Sequence, residues 1–174
     1  AINSGYTGAL TLSNINLAIT NEFLLNDGTF NPSRSNITIK GDLIRTGGAN
    51  NSFNARYTFE GPVDFEADFG PDTQELSSLS FRQPTGVNGT VSGDILLDRI
   101  SINSDVGSSV TLTGNITTSE DAFSNSMQNT ALIIEDGAVL DLRTVFTWGV
   151  FGEGFVQQIG TGRIRRQAFG LAFT

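Results

Sequence analysis

Cysteine and histidine are both absent from this chain of 174 residues. The first absence excludes a disulfide framework, a thiolate nucleophile and a Cys-ligated metal. The second removes the usual general base at neutral pH and the commonest metal ligand. Both count against an enzyme. Lysine occurs once, as Lys40, and the formal net charge is −8. Nucleic acid attracts clusters of Lys and Arg, so it is not an expected partner. An anionic membrane surface is disfavoured for the same reason. No apolar run approaches the roughly 20 residues of a membrane-spanning helix, so no membrane insertion is expected. No cofactor is implied, apart from a calcium ion considered below.

Apolar residues are also scarce, at 38%. Glycine, threonine, serine and asparagine fill the shortfall. Gly and Asn tolerate the backbone conformations of turns. The branched Cβ of Thr suits a pleated surface. A chain rich in both is expected to have many short strands and many turns. Disorder would fit the polar composition, but 13 Phe residues spread along the chain argue for a packed core.

Alternation of apolar and polar residues is the main local signal. It places Ile15, Leu17 and Ile19 on one face of a strand, and Ile37 and Ile39 on another. Val63, Phe65, Ala67 and Phe69 alternate with Asp64, Glu66 and Asp68. Val110 and Leu112, Leu132 and Ile134, and Leu140 and Leu142 continue the pattern. Asn26-Asp27-Gly28 and Glu135-Asp136-Gly137 mark tight turns between apolar stretches. Residues 119–128 could form one short helix, capped by Ser119 with Phe123 and Met127 inward. No long linker interrupts the chain. A single all-β domain spanning 1–174 is expected, with 143–174 a divergent C-terminal segment.

Weak internal repeats refine that expectation. Residues 37–43 match residues 110–116 at nearly every position, and residues 91–95 form a shorter third copy. Residues 25–30 likewise resemble residues 134–139. From Gly93 to Gly114, and from Gly114 to Gly137, the spacing is in the low twenties, about one coil of a β-helix. The expected fold is a right-handed β-helix-like solenoid, with an antiparallel β-sandwich or jelly roll as the alternative.

Several segments follow one another in a familiar order: Thr29-Phe30-Asn31, Asn36-Ile37-Thr38-Ile39, Phe59-Glu60-Gly61, Leu97-Asp98-Arg99-Ile100 and Val110-Thr111-Leu112-Thr113-Gly114. They resemble repeat segments of large bacterial secreted surface proteins and autotransporter-type adhesins. The resemblance runs from about Thr29 to Leu142. The stretch from Arg143 onward, with Trp148 and the Arg163–Arg166 cluster, departs from it. The resemblance implies a right-handed β-helix, an extracellular or cell-surface location and a structural or adhesive role. It transfers no catalytic residues.

Six groups of residues are candidates for chemistry or recognition. Asp64, Glu66 and Asp68 lie on one strand face and are the best place for Ca²⁺, if a neighbouring strand supplies more oxygens. The same row also suits a solvated or charge-protected edge. Asp94 with Asp98, or Asp136 with Asp141, are the carboxylate pairs that hydrolysis of a glycoside would need, without a cleft signature. Arg163, Arg165 and Arg166 form the densest basic cluster, suited to an acidic sugar or to nearby carboxylates. Tyr6, Tyr57 and Trp148 are candidates for stacking on a sugar ring of a surface glycan or receptor. Asn36, Asn50, Asn88 and Asn115 each open an Asn-X-Ser/Thr sequon. Finally, Phe169, Leu171 and Phe173 share one face of an apolar terminal strand. Paired with the strand carrying Ile15, Leu17 and Ile19, it would join copies head to tail into a filament.

Overall fold

The structure, a computed structural model, describes residues 5, 7–50, 54–119, 125–143, 148–151 and 155–166. Their regular structure is entirely β, in eighteen strands. Every strand pair is parallel. The chain winds as a β-solenoid of about six turns. This meets the expectation of a β-helix-like solenoid and rules out the antiparallel sandwich. Among the described residues no helix is long and apolar enough to cross a membrane.

Each coil contributes a strand to three faces in turn. The first face stacks Asn16–Ile19, Asn36–Ile39, Arg56–Phe59, the end of Gln74–Phe81, the 99–102 stretch of Asp94–Leu112, the start of Asn125–Ile134 and Trp148–Phe151. The second stacks Glu22–Leu25, Asp42–Arg45, Phe65–Asp68, Asn88–Ser92, the end of Asp94–Leu112, the end of Asn125–Ile134 and Phe155–Gln158. The third begins as the small sheet Ala9–Thr11, Thr29–Asn31 and Ala49–Asn50. It resumes with the starts of Gln74–Phe81 and Asp94–Leu112, then Asn115–Thr118, Val139–Leu142 and Arg163–Arg166. Hydrogen-bonded partners on adjacent rungs are 20 residues apart at Asn16 and Asn36, 21 at Asp94 and Asn115, and 25 at Asp136 and Thr161. Coil length therefore varies along the chain, and is 24 residues from Leu43 to Ala67 and from Phe65 to Gly89.

Strand alternation sends one residue in two into the lumen, and parallel register stacks those residues into columns. Ile37, Tyr57, Leu79 and Ile100 form one column; Ile39, Phe59, Phe81 and Ile102 form the next. All eight are buried. Burying each such side chain contributes roughly 1.5–3 kcal/mol before conformational entropy is subtracted. The middle of the lumen is aromatic: the Phe59 ring stacks on Phe65 at 4.8 Å and on Phe81 at 5.7 Å between centroids.

Among the described residues most polar groups in the lumen have partners, Arg45 Nε and Gln74 Oε1 being exceptions. At the corner between the first and second faces, the backbone N–H of Gln83 donates to Ser104 Oγ, and that of Ser104 donates to Thr130 Oγ1. Gln83 Nε2 donates to the Phe59 carbonyl. Arg45 is 4% exposed and donates to the carbonyls of Phe69 and Gly48 and to the Asp72 carboxylate.

Three local readings are corrected. Val63 is 55% exposed, because it sits before the strand Phe65–Asp68 rather than in it; Phe65, Ala67 and Phe69 are buried as expected. The latter part of the expected helix is strand, since Asn125–Ile134 pairs in parallel with Asp94–Leu112. The strong match of residues 37–43 to 110–116 joins different corners. The first turns from face one to face two, the second from face two to face three. Shared strand-corner chemistry, not a shared place in the coil, explains the likeness. The weaker match of 25–30 to 134–139 does join equivalent corners, and Gly114 stacks closely under Gly93 at that same corner.

Candidate ligand-binding face

The first face carries its outward residues in two columns. Arg56, Ser78 and Arg99 are register partners on successive rungs, and so are Thr58, Ser80 and Ser101. Rungs lie about 4.8 Å apart, so Arg56 and Arg99 are rooted about 10 Å from each other. Arg82 follows directly after the strand that holds Ser78 and Ser80. Arg56, Thr58, Ser78, Ser80, Arg82 and Arg99 line a shallow groove of about 470 Å³. Arg56, Arg82 and Arg99 are exposed, and none forms an ion pair among the described residues. Asp98 stands on the groove wall and accepts a hydrogen bond from Ser119 Oγ at 3.0 Å.

A second groove, of about 520 Å³, runs along the third face. Here charges are mixed. Asp94 accepts from Asn115 Nδ2, Asp141 pairs with Arg143 Nε at 3.2 Å, and Arg165 is the register partner of Asp141. Of the basic cluster, Arg165 alone is in register with a carboxylate, and neither Arg163 nor Arg165 forms an ion pair among the described residues. The carboxylates are not grouped as the sequence pairs them. Asp94 and Asp141 line this groove, Asp98 lines the first-face groove, and Asp136 sits in a corner turn. Asp136 accepts from the Thr161 N–H and hydroxyl, one coil on. These hydrogen bonds hold its carboxyl below its ordinary value of 3.8 against a small opposing effect of burial.

The second face is acidic at its N-terminal end. Glu22, Asp42 and Glu66 are stacked in one outward column. Asp64, Glu66 and Asp68 have separate local partners. Asp64 accepts from the Asn88 N–H at 2.7 Å, and Asp68 from the Gly70 N–H at 2.8 Å. The Glu66 N–H donates to Asp42. Among the described residues no group of three Asp, Glu, His or Cys side chains converges as a metal site would.

The sugar-stacking candidates divide. Tyr57 is fully buried and meets Phe69 edge-on at 5.8 Å, so it presents no face to a sugar. Its place in Arg56–Phe59 turns it inward by simple alternation. Tyr6 and the side chain of Trp148 lie outside the described residues, as do Phe169, Leu171 and Phe173. Ile15 is exposed, while Leu17 and Ile19 are half-buried against the core. The sequon residues Asn36 and Asn115 donate from Nδ2 to Asn16 and Asp94 on the preceding coil, and Asn88 Oδ1 accepts from Ser109 Oγ on the following one. They act as ladder residues that tie rung to rung.

The arginine groove was not legible as a cluster in the sequence. Arg56, Arg82 and Arg99 are far apart along the chain and each has mostly neutral neighbours. Only the coil length, read at these positions, would have set Arg56 over Ser78 over Arg99. No family model matches the chain, and no curated protein or solved structure is found to be similar to it.

Proposed function

We propose that this chain is a non-enzymatic, extracellular adhesive protein, a segment of a cell-surface adhesin. The observation that carries the reading is the first face: a flat, hydrogen-bonded sheet that presents unpaired arginines and hydroxyls at regular spacing. A solenoid is rigid along its axis, so such a face suits multipoint attachment to a repetitive partner. The resemblance of residues 29–142 to repeats of secreted surface proteins supports the extracellular placement. Catalysis would need an acid and a base converging on one point, and each carboxylate pair nominated from the sequence is split, Asp94 from Asp98 and Asp136 from Asp141. The partner is a surface glycan or protein receptor.

The test is retention of protein-coated beads on intact cells under flow. Retention that excess soluble protein abolishes is expected. Beads that wash away like albumin-coated beads would overturn the reading, and so would turnover of a polysaccharide by the purified chain.

A fibre subunit is the second reading. The first coil favours it: Leu10 and Ile15 are exposed, and Leu12, Leu17, Ile19 and Phe23 are covered only in part. A coil stacked on this one, of a second copy or of a longer chain, would complete their burial.

A further inference from the structure

We infer that the first-face groove, centred on Arg56, Arg82 and Arg99, binds a polyanionic glycan, a sugar chain carrying carboxylate or sulfate groups. The inference rests on the adhesive reading and names the ligand class for its face.

The charge distribution is the first argument. The whole chain carries −8, which repels a polyanion at long range. Binding must then come from local, short-range contacts. The groove supplies three guanidinium groups with no carboxylate partner among the described residues. Arg45 and Arg143, by contrast, are committed to Asp72 and Asp141. Arg56 and Arg99, in register on the sheet and without an ion pair among the described residues, are held ready for an external anion.

The residue types are the second argument. The guanidinium fork matches the planar oxygens of a carboxylate and two oxygens of a sulfate. Lysine, which would give only a point charge, is absent from the groove. Between the arginines stand Thr58, Ser78 and Ser80, whose hydroxyls both donate and accept, as sugar hydroxyls require. The groove has no aromatic lining. That removes the platform on which a neutral sugar or a nucleic-acid base would stack. Affinity must therefore be carried by charge-assisted hydrogen bonds and fall steeply with salt.

The geometry is the third. Arg56 and Arg99 are rooted two rungs apart, at about 10 Å, by backbone hydrogen bonds rather than by a flexible loop. Two anionic groups along one extended chain can engage both arginines at little ordering cost to the protein.

The test is binding of the full chain to three immobilised polysaccharides: heparin as the sulfated probe, polygalacturonate as the carboxylated one, and dextran as the neutral one. A single-stranded oligonucleotide serves as the non-sugar polyanion. The expected result is salt-sensitive binding to heparin or polygalacturonate, with dextran and the oligonucleotide at least tenfold weaker. The preferred probe then tells sulfate from carboxylate. Arg56→Gln and Arg99→Gln should each weaken binding about tenfold, the loss of one charge-assisted pair. Arg163→Gln, on the third face, should leave it unchanged. Unchanged melting temperatures will show that the variants fold.

Binding equal in the wild type and the Arg56→Gln/Arg82→Gln/Arg99→Gln triple variant overturns the inference. So does binding to neither polyanionic sugar, or equal binding to the oligonucleotide. If the triple variant still anchors beads to cells, this inference fails and the adhesive reading stands. If the wild type binds the polyanion but its beads wash off, the ligand class stands and the adhesive reading fails.

Discussion

The ring of Phe65 occupies the space above Gly89, its register partner on the next coil. A Cβ at position 89 would overlap that ring. Phe65 cannot easily retreat, because it is stacked against Phe59 at 4.8 Å and Phe81 at 6.0 Å. At this position a small residue on one rung makes room for a large one on the next.

Gly89→Ala is therefore expected to destabilise the fold. Added bulk in a packed core costs about 1–3 kcal/mol. The reduced freedom of the unfolded chain returns only about 0.4–1 kcal/mol. The clash wins, and the urea midpoint should fall. Phe65→Ala should cost more, about 3–5 kcal/mol, by opening a cavity. A Gly89→Ala midpoint at or above the wild-type value would show that the ring is free to move.

Arg45 and Asp72 should make unequal contributions. Arg45 is 4% exposed, and the Asp72 side chain is 73% exposed. Losing Arg45 leaves the buried carbonyl of Phe69 without its side-chain donor. A buried polar group left unpaired costs about 1–3 kcal/mol, before lost packing is added. Losing the Asp72 carboxylate leaves Arg45 with two carbonyl partners and a route to water, so Asp72→Asn should cost at most about 1 kcal/mol. Equal losses in Arg45→Ala and Asp72→Asn, measured by urea unfolding, would contradict this account of the lumen.

Asp136 and Thr161 give the fold an acid-sensitive tie between coils. The folded-state pKa of Asp136 is lowered from 3.8 by hydrogen bonds from the Thr161 N–H and hydroxyl. A lowered pKa means that the stabilisation is present above the unfolded value and is lost as pH falls through the folded value. Thr161→Val removes the hydroxyl but keeps the N–H. An NMR titration should place the Asp136 midpoint below 3.8 in the wild type and nearer to it in Thr161→Val. The stability gap between the two proteins should be present at neutral pH and close at the acid end. Identical midpoints would remove the hydroxyl as a cause.

Much of the solenoid was legible because its physics is local. Inward residues such as Ile37, Ile39, Val110, Leu112, Leu140 and Leu142 follow from strand alternation, and all are buried. The Gly93–Gly114 spacing gives the coil length because both glycines stand at one corner, closely stacked. What was missed depends on neighbours a coil away. Arg45 takes an inward position only because the Phe69 carbonyl and Asp72 meet it there. Residues 125–128, read as the end of a short helix, are strand because the preceding coil offers a parallel edge. Tyr57 reads as an available ring until its column with Ile37 and Leu79 is known. The arginine groove has the same origin, since its members meet only through the register.

Bead retention under flow on intact cells, compared across three proteins, tests the adhesive account most directly. The proteins are the wild type, the Arg56→Gln/Arg82→Gln/Arg99→Gln variant and Arg163→Gln. The account predicts that wild-type and Arg163→Gln beads are held, that soluble wild type releases them, and that the triple variant washes away. Washing away of all three alike would contradict it.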